Sequence, residues 1–222
     1  MSMAQTFLKT MFGPRSRALQ EIDGSRASYA RMEAHAGEMD VFTDRELDFI
    51  AARDSFYLAS MSEGGWPYVQ HRGGPAGFLR RISGNCIGFA DYRGNRQYLS
   101  TANLAADDRV CLFLMDYPAR RRLKMIGHAY TTDDPEKVAA LMVPGYDAEG
   151  ERAFVIDIVG FDWNCPQHIT PRFTDAQIAE ATRPLLDELD LLRARVAELE
   201  QHHHDGKTDL WRPPCGPYRS RS

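Results

Sequence analysis

Two stretches of this chain set glycine beside arginine and amide side chains. The first is Pro67-Tyr68-Val69-Gln70-His71-Arg72-Gly73-Gly74-Pro75, and about twenty residues later comes Phe89-Ala90-Asp91-Tyr92-Arg93-Gly94-Asn95-Arg96-Gln97. Each reads as a strand followed by a turn. Glycine lets backbone N–H groups come close to a ligand, and arginine offers a planar fork of donors that suits phosphate. Gln70, His71 and Arg72 are three consecutive hydrogen-bonding side chains ahead of Gly73 and Gly74. In the second stretch Asp91, Asn95, Arg96 and Gln97 stand directly before a predicted helix, whose N-terminus is itself an anion site. Two such strand ends in one small β domain predict one phosphate-bearing ligand held between them.

Three further groups could do chemistry. Arg120-Arg121-Arg122 precedes an apolar strand. A basic triplet is usually a solvated face, and Arg122, nearest the strand, is the one expected to reach a ligand. Trp163-Asn164-Cys165-Pro166-Gln167-His168 follows the last strand. Trp163, Asn164, Gln167 and His168 suit the rim of a flat aromatic ligand, by stacking and hydrogen bonding. Cys165 and His168 lack a third ligand or an orienting acid, so neither a metal site nor cysteine catalysis is expected. His202-His203-His204 lies on a polar stretch with no shell to orient it and is given no role.

The elements that must position these residues follow from pattern. Thr43-Asp44-Arg45-Glu46 reads as a capping box for a helix ending near Asp54, and Ser25–Glu33 as a short helix capped by Ser25. Ser55–Met61 and Trp66–His71 read as a hairpin, with Pro67 marking an edge strand. Phe78–Ile82 and Cys86–Ala90 form the next pair, and Tyr98–Asp107 a short helix. Val110–Met115 reads as a strand buried on both faces, followed by a strand over Leu123–Tyr130. A helix begins at Asp134-Pro135, and Ala153–Phe161 is the last strand. Six or seven short strands with hairpin turns predict a mostly β protein with flanking helices, built on an antiparallel barrel. Beyond it, Thr174-Asp175-Ala176-Gln177 is a second capping box. Ile178, Leu185, Leu189, Leu192, Val196 and Leu199 then form an a/d seam of about three heptads, with Pro184 expected to break or kink its first turns. That stripe must be buried, against the barrel or against a second copy, and packing against the barrel is the expectation, since three heptads make a weak independent zipper.

Composition narrows the function classes. The 222 residues are 43% apolar and 26% charged with a formal net charge of −4, so no basic field draws the chain to nucleic acid. No apolar run is long enough to cross a bilayer, and no signal peptide is read at the N-terminus. The four cysteines include no C-x-x-C pair, and Cys86 and Cys111 fall inside apolar strands, as expected of reduced thiols in the cytoplasm.

The chain resembles the pyridoxamine 5′-phosphate oxidase-like flavoproteins over roughly residues 43–172. The resemblance is carried by Pro67–Pro75, by Ala90–Tyr98 and by Asn164–His168 (Asn-Cys-Pro-Gln-His). It implies a split β-barrel that binds FMN, and a homodimer with the FMN at the subunit interface. It implies phosphate contacts from Arg72, Asn95 and Arg96, ribityl or ring contacts from Gln70, His71 and Asp91, and a further contact from Arg122. Trp163 to His168 take the place of residues reaching the partner's flavin, and His168 is the expected proton donor. The organisation becomes an N-terminal helical extension (1–42), the FMN-binding split barrel (43–172), a leucine-seam helix (173–201) and a flexible tail (202–222). Against the true oxidases, the Arg-x-x-Leu-Leu strand is replaced by Arg72-Gly73-Gly74-Pro75, and the substrate-phosphate residues near the C-terminus have no match. The expected function is therefore an FMN-dependent oxidoreductase of unknown substrate, with oxidation of pyridoxamine phosphate not expected. The alternative is a flavin- or haem-binding sensor or storage protein acting through a partner.

Overall fold

The computed structural model describes residues 5–35, 40–163 and 166–207. Seven strands alternate with short helices along the first unit, Met1–Pro171. Three helices come first: α1 (Gln5–Met11), α2 (Pro14–Ile22) and α3 (Arg26–Ala34). Only α3 is anticipated by pattern. Ser25 stands at its N-cap but makes no side-chain capping bond. The helix α2 opens on Pro14 at its first turn, a signal that the weak periodicity around it obscures.

The strands are β1 (Ser55–Met61), β2 (Pro67–Gly73), β3 (Arg80–Ser83), β4 (Cys86–Tyr92), β5 (Arg109–Asp116), β6 (Arg121–Thr132) and β7 (Gly150–Trp163). They form one antiparallel sheet in the order β2-β1-β5-β6-β7-β4-β3. This is the antiparallel architecture expected from the strand pattern, and the split barrel that the family resemblance implies. Pro67 opens edge strand β2, where its missing N–H breaks no ladder. The core includes Phe56, Leu58, Phe89, Leu112, Leu114, Leu123, Phe154 and Phe161, all at 2% exposure or less. The strand β5 corrects the expectation of burial on both faces. It alternates, with Val110, Leu112 and Leu114 buried but Cys111, Phe113 and Met115 half-buried.

Helix α4 (Asp44–Ala51) starts at the anticipated capping box, with Glu46 accepting from the Thr43 N–H at 3.0 Å. Helix α5 (Leu99–Ala106) sits between β4 and β5 in the chain, and α6 (Pro135–Leu141) covers Ala90 and Ala153 through Leu141. Asp134 caps α6 as expected, accepting from the Glu136 N–H at 3.0 Å. Asp134→Ala should lower unfolding stability by about 1 kcal/mol; an unchanged denaturant midpoint would remove the cap from the account.

Asp40 ties the N-terminal helices to the sheet. Its buried carboxylate accepts from the N–H groups of Thr6, Phe7 and Phe161 at 2.9, 3.1 and 3.0 Å. Gly160 permits the approach, since a Cβ there would lie 2.7 Å from the Phe7 nitrogen.

The second unit, Arg172–Ser222, contains helix α7 (Asp175–Lys207). The Thr174/Gln177 capping box is present in both directions, at 3.0 and 3.3 Å. The helix runs through Pro184 without ending and continues to Lys207, so His202 to Lys207 are helical where a flexible tail is expected from their polarity. The rest of that tail, 208–222, lies outside the described residues. Among the described residues no helix is long and apolar enough to cross a membrane.

Candidate functional site

Period-two alternation along β2 decides which predicted residues meet. Tyr68, Gln70 and Arg72 point to one face and Val69, His71 and Gly73 to the other. On the first face lies a cavity of about 60 Å³, whose lining includes Gln70, Arg72, Asp91, Asn95, Arg96 and Gln97. Six of the predicted residues therefore converge, from β2, β4 and the loop that leads into α5. Tyr68, Ser100, Thr101 and Glu151 also line it, and nothing in the sequence pattern points to them.

Arg72 is held from several sides. Its Nη1 donates to Asp91 Oδ1 at 2.6 Å, and its guanidinium lies over the rings of Phe154 and Phe89 at 4.7 and 5.6 Å. Its Nε is buried without a hydrogen-bond partner. Arg152 of β7 approaches the other Asp91 oxygen at 3.8 Å, donates to Thr101 Oγ1 at 3.2 Å and lies over the Tyr98 ring at 4.4 Å. Burial raises the Asp91 carboxyl above its ordinary range, and Arg72 and Arg152 only partly offset this.

The loop before α5 has an unusual backbone. Asn95 accepts from the Gln97 N–H at 3.2 Å, while Arg96 and Tyr98 take left-handed φ values of 59° and 51°. Non-glycine residues seldom occupy that region, and they concentrate at functional sites. Tyr98 is the N-cap of α5 and supplies no side-chain capping bond, so the first N–H groups of the helix face the cavity side uncapped. Ser100 donates to Gln70 Oε1 at 2.6 Å, joining α5 to β2. Arg96 is half-exposed, its nearest carboxylate Glu151 at 3.7 Å. Arg72 and Arg96 thus face Asp91 and Glu151 across the cavity, a balanced set of charges.

Other expected contacts fall elsewhere. His71 packs edge-on to Tyr57 on the opposite face of β2, with ring centroids 5.7 Å apart. Gly73 and Gly74 do not line the cavity. The Gly74 N–H donates to Asp54 O at 2.9 Å, and a Cβ at Gly74 would meet the Phe78 side chain at 2.9 Å, so this glycine serves packing. Arg122 lies on β6 opposite Met115, away from the cavity, and its Nε is also buried without a partner. Trp163 is engaged within the fold: its Nε1 donates to Glu46 at 2.7 Å, Arg45 lies 4.3 Å over its ring, and Phe49 meets its face. Gln167 and His168 are exposed in the loop after β7, His168 with φ 61°. Asn164 and Cys165 lie outside the described residues.

Among the described residues no cluster of three or more His, Cys, Asp or Glu is placed to hold a metal. Burial pushes the Cys86 thiol up to about 11 and raises that of Cys111, which keeps both protonated and unreactive at neutral pH. A larger cavity of about 470 Å³ lies near Met11, Met61, Cys111, Ile126 and His128, and contains none of the predicted ligand residues.

The fold is an antiparallel split barrel with a cavity between edge strand β2 and the start of α5. The sequence assigns the family: residues 42–164 match the pyridoxamine 5′-phosphate oxidase family. The chain belongs to that family. No curated protein matches it. Among solved structures, it is similar to HupZ of Group A Streptococcus at 12% identity, over 60% of this chain and 99% of that one, with a TM-score of 0.44. A Clostridium acetobutylicum protein related to general stress protein 26 is also 12% identical, over 61% and 95%, with a TM-score of 0.43. HutZ, the haem storage protein of Vibrio cholerae, is 12% identical, over 52% and 88%, at 0.35.

Proposed function

We propose that this protein is a cytoplasmic FMN-binding flavoprotein that works as a homodimer and an oxidoreductase, on a substrate other than pyridoxamine phosphate. The observation that carries the reading is the convergence of Arg72, Asn95, Arg96 and the uncapped start of α5 on one cavity. At about 60 Å³ that cavity has room for several waters, or one phosphate group, and falls well short of the volume a whole cofactor needs. The phosphate of FMN fits there, with the ring lying outside the single chain, as it would if a second subunit covered it. The buried, unpartnered Nε of Arg72 supplies a donor with nothing yet to bind. Arg96, half-exposed and only loosely paired with Glu151, is free to turn onto the phosphate. Gln70 and Gln97 stand near enough to orient the ribityl chain. FMN would supply the redox chemistry, while these residues bind and orient it.

Three measurements test this. The absorption spectrum of protein purified without added cofactor should show flavin bands, and the released chromophore should be FMN; a Soret band or a colourless protein would overturn the cofactor. Arg96→Ala removes a charge-assisted hydrogen bond worth roughly 1.5–3 kcal/mol, so FMN affinity should fall about ten- to a hundredfold. Unchanged affinity would sink the phosphate site. Because a ligand shared between subunits stabilises their assembly, stripping the flavin should also lower the melting temperature and promote dissociation on dilution.

A further inference from the structure

Helix α7 carries an apolar stripe that the flavin reading leaves unused. Its 33 residues would span about 50 Å. Leu185, Leu189, Leu192, Val196 and Leu199 are between 41% and 66% exposed in the single chain. Their spacings of four, three, four and three place Leu185, Leu192 and Leu199 at d, and Leu189 and Val196 at a. The same frame puts Ile178 at d, Thr182 at a, and Pro184 at an outward c position. Leucine at d with β-branched residues at a favours two parallel strands, a pattern that Thr182 and Val196 follow and Leu189 does not.

Charge selects the same arrangement. Glu188 and Arg195 occupy g, while Arg193 and Glu200 occupy e. In a parallel, in-register pair each g residue faces the e residue five positions on in the other helix. Glu188 then meets Arg193 of the second copy, and Arg195 meets Glu200 of the second copy. Both contacts are attractive and each occurs twice by symmetry. An antiparallel pairing that sets Leu189 against Leu192 keeps only the Glu188–Arg195 contact.

We propose that α7 pairs with α7 of a second copy of this chain as a parallel two-stranded coiled coil. The seam is self-complementary in both shape and charge, which identifies the occupant as a second copy of the same helix. This pairing does not depend on the flavin.

Disulfide trapping in the full chain tests it. In a parallel in-register pair the two Leu192 positions face each other, so Leu192→Cys should convert most of the protein to a cross-linked dimer on mild oxidation. Leu191→Cys, at an outward position one residue away, should stay at the background of the parent protein. Adding Arg193→Glu to the Leu192→Cys protein sets Glu188 against a second carboxylate on both sides and should slow cross-linking by about tenfold. Adding Glu188→Arg as well should restore it, which mere damage to the helix would not allow. Equal cross-linking of Leu191→Cys and Leu192→Cys would overturn the proposal. So would cross-linking seen only when Leu189→Cys and Leu192→Cys proteins are mixed, the signature of antiparallel helices. The flavin spectrum of each variant is read separately, so failure of the coil leaves the cofactor result standing.

Discussion

Arg72→Ala should cost the folded protein about 3–5 kcal/mol at neutral pH, because it strands a buried carboxylate. Asp91 is 8% exposed, and its close partner is Arg72 at 2.6 Å, with Arg152 at 3.8 Å. Truncation would also empty the space over Phe154 and Phe89. The pH dependence identifies the cause. Burial holds the Asp91 carboxyl above its ordinary value of 3.8 even with both arginines present. A carboxyl whose folded pKa is raised binds its proton more tightly when folded, so its contribution is present at low pH and lost as pH rises through the folded value. Removing Arg72 takes away the largest opposing charge and raises that value further. The deficit of Arg72→Ala should therefore be greatest near pH 7 and shrink as the solution is acidified toward the ordinary carboxylate range. Urea unfolding at both pH values measures this. A deficit below about 1 kcal/mol, or one that does not change with pH, would refute the pair as a structural element. Replacing both partners, as Arg72→Met with Asp91→Leu, should lose far less stability, since two charges then leave the interior together. If that double variant is stable but binds FMN weakly, Arg72 serves the ligand as well as the fold.

The pair shows where sequence reading reaches its limit. Asp91 is read as a ligand contact and Arg72 as a phosphate binder, and both do line the cavity. Their mutual hydrogen bond joins β2 at one edge of the sheet to β4, which the sheet order places five strands away. Strand-by-strand patterning says nothing of that proximity. Much of the local chemistry is legible: the Thr43/Glu46 box, the Asp134 cap, the edge proline of β2 and the Thr174/Gln177 box all depend on residues within a few positions of one another, whereas the Ser25 cap expected on the same grounds does not form. His71 is read together with Gln70 and Arg72, yet alternation along β2 places it on the opposite face from the cavity. Helix α1 has no comparable signal, because its anchor Asp40 is 33 residues from Phe7. Helix α7 outlasts its apolar seam although His202 to Gly206 are weak helix formers, because extending a nucleated helix costs far less than starting one.

Trp163 makes the same point at longer range, and it carries the second large effect. Its indole suits a ring-stacking role by type, yet its N–H is given to Glu46, 117 residues earlier. Glu46 is fully buried. Burial alone would raise its carboxyl, but hydrogen bonds from Thr43 and Trp163 outweigh that and hold it below its ordinary value. One side chain thus closes the first turn of α4 and pins the end of β7 to it. Glu46→Ala should remove three hydrogen bonds to a charged acceptor, from the Thr43 N–H, the Thr43 hydroxyl and the Trp163 N–H, and leave the last unpaired, costing about 3–5 kcal/mol. Glu46→Gln, which keeps an acceptor but no charge, should cost about half as much. Since the folded pKa is depressed, the wild-type contribution is present above the unfolded value and fades as pH falls through the folded one. Both variants should then converge on the wild type in acid, the reverse in mechanism of Arg72→Ala, where the variant itself gains on protonation. Tryptophan fluorescence during urea unfolding follows the loss directly. If Glu46→Ala unfolds within about 1 kcal/mol of the wild type, the buried carboxylate does not hold β7 to α4, and Trp163 becomes free to be tested again as a contact of the flavin.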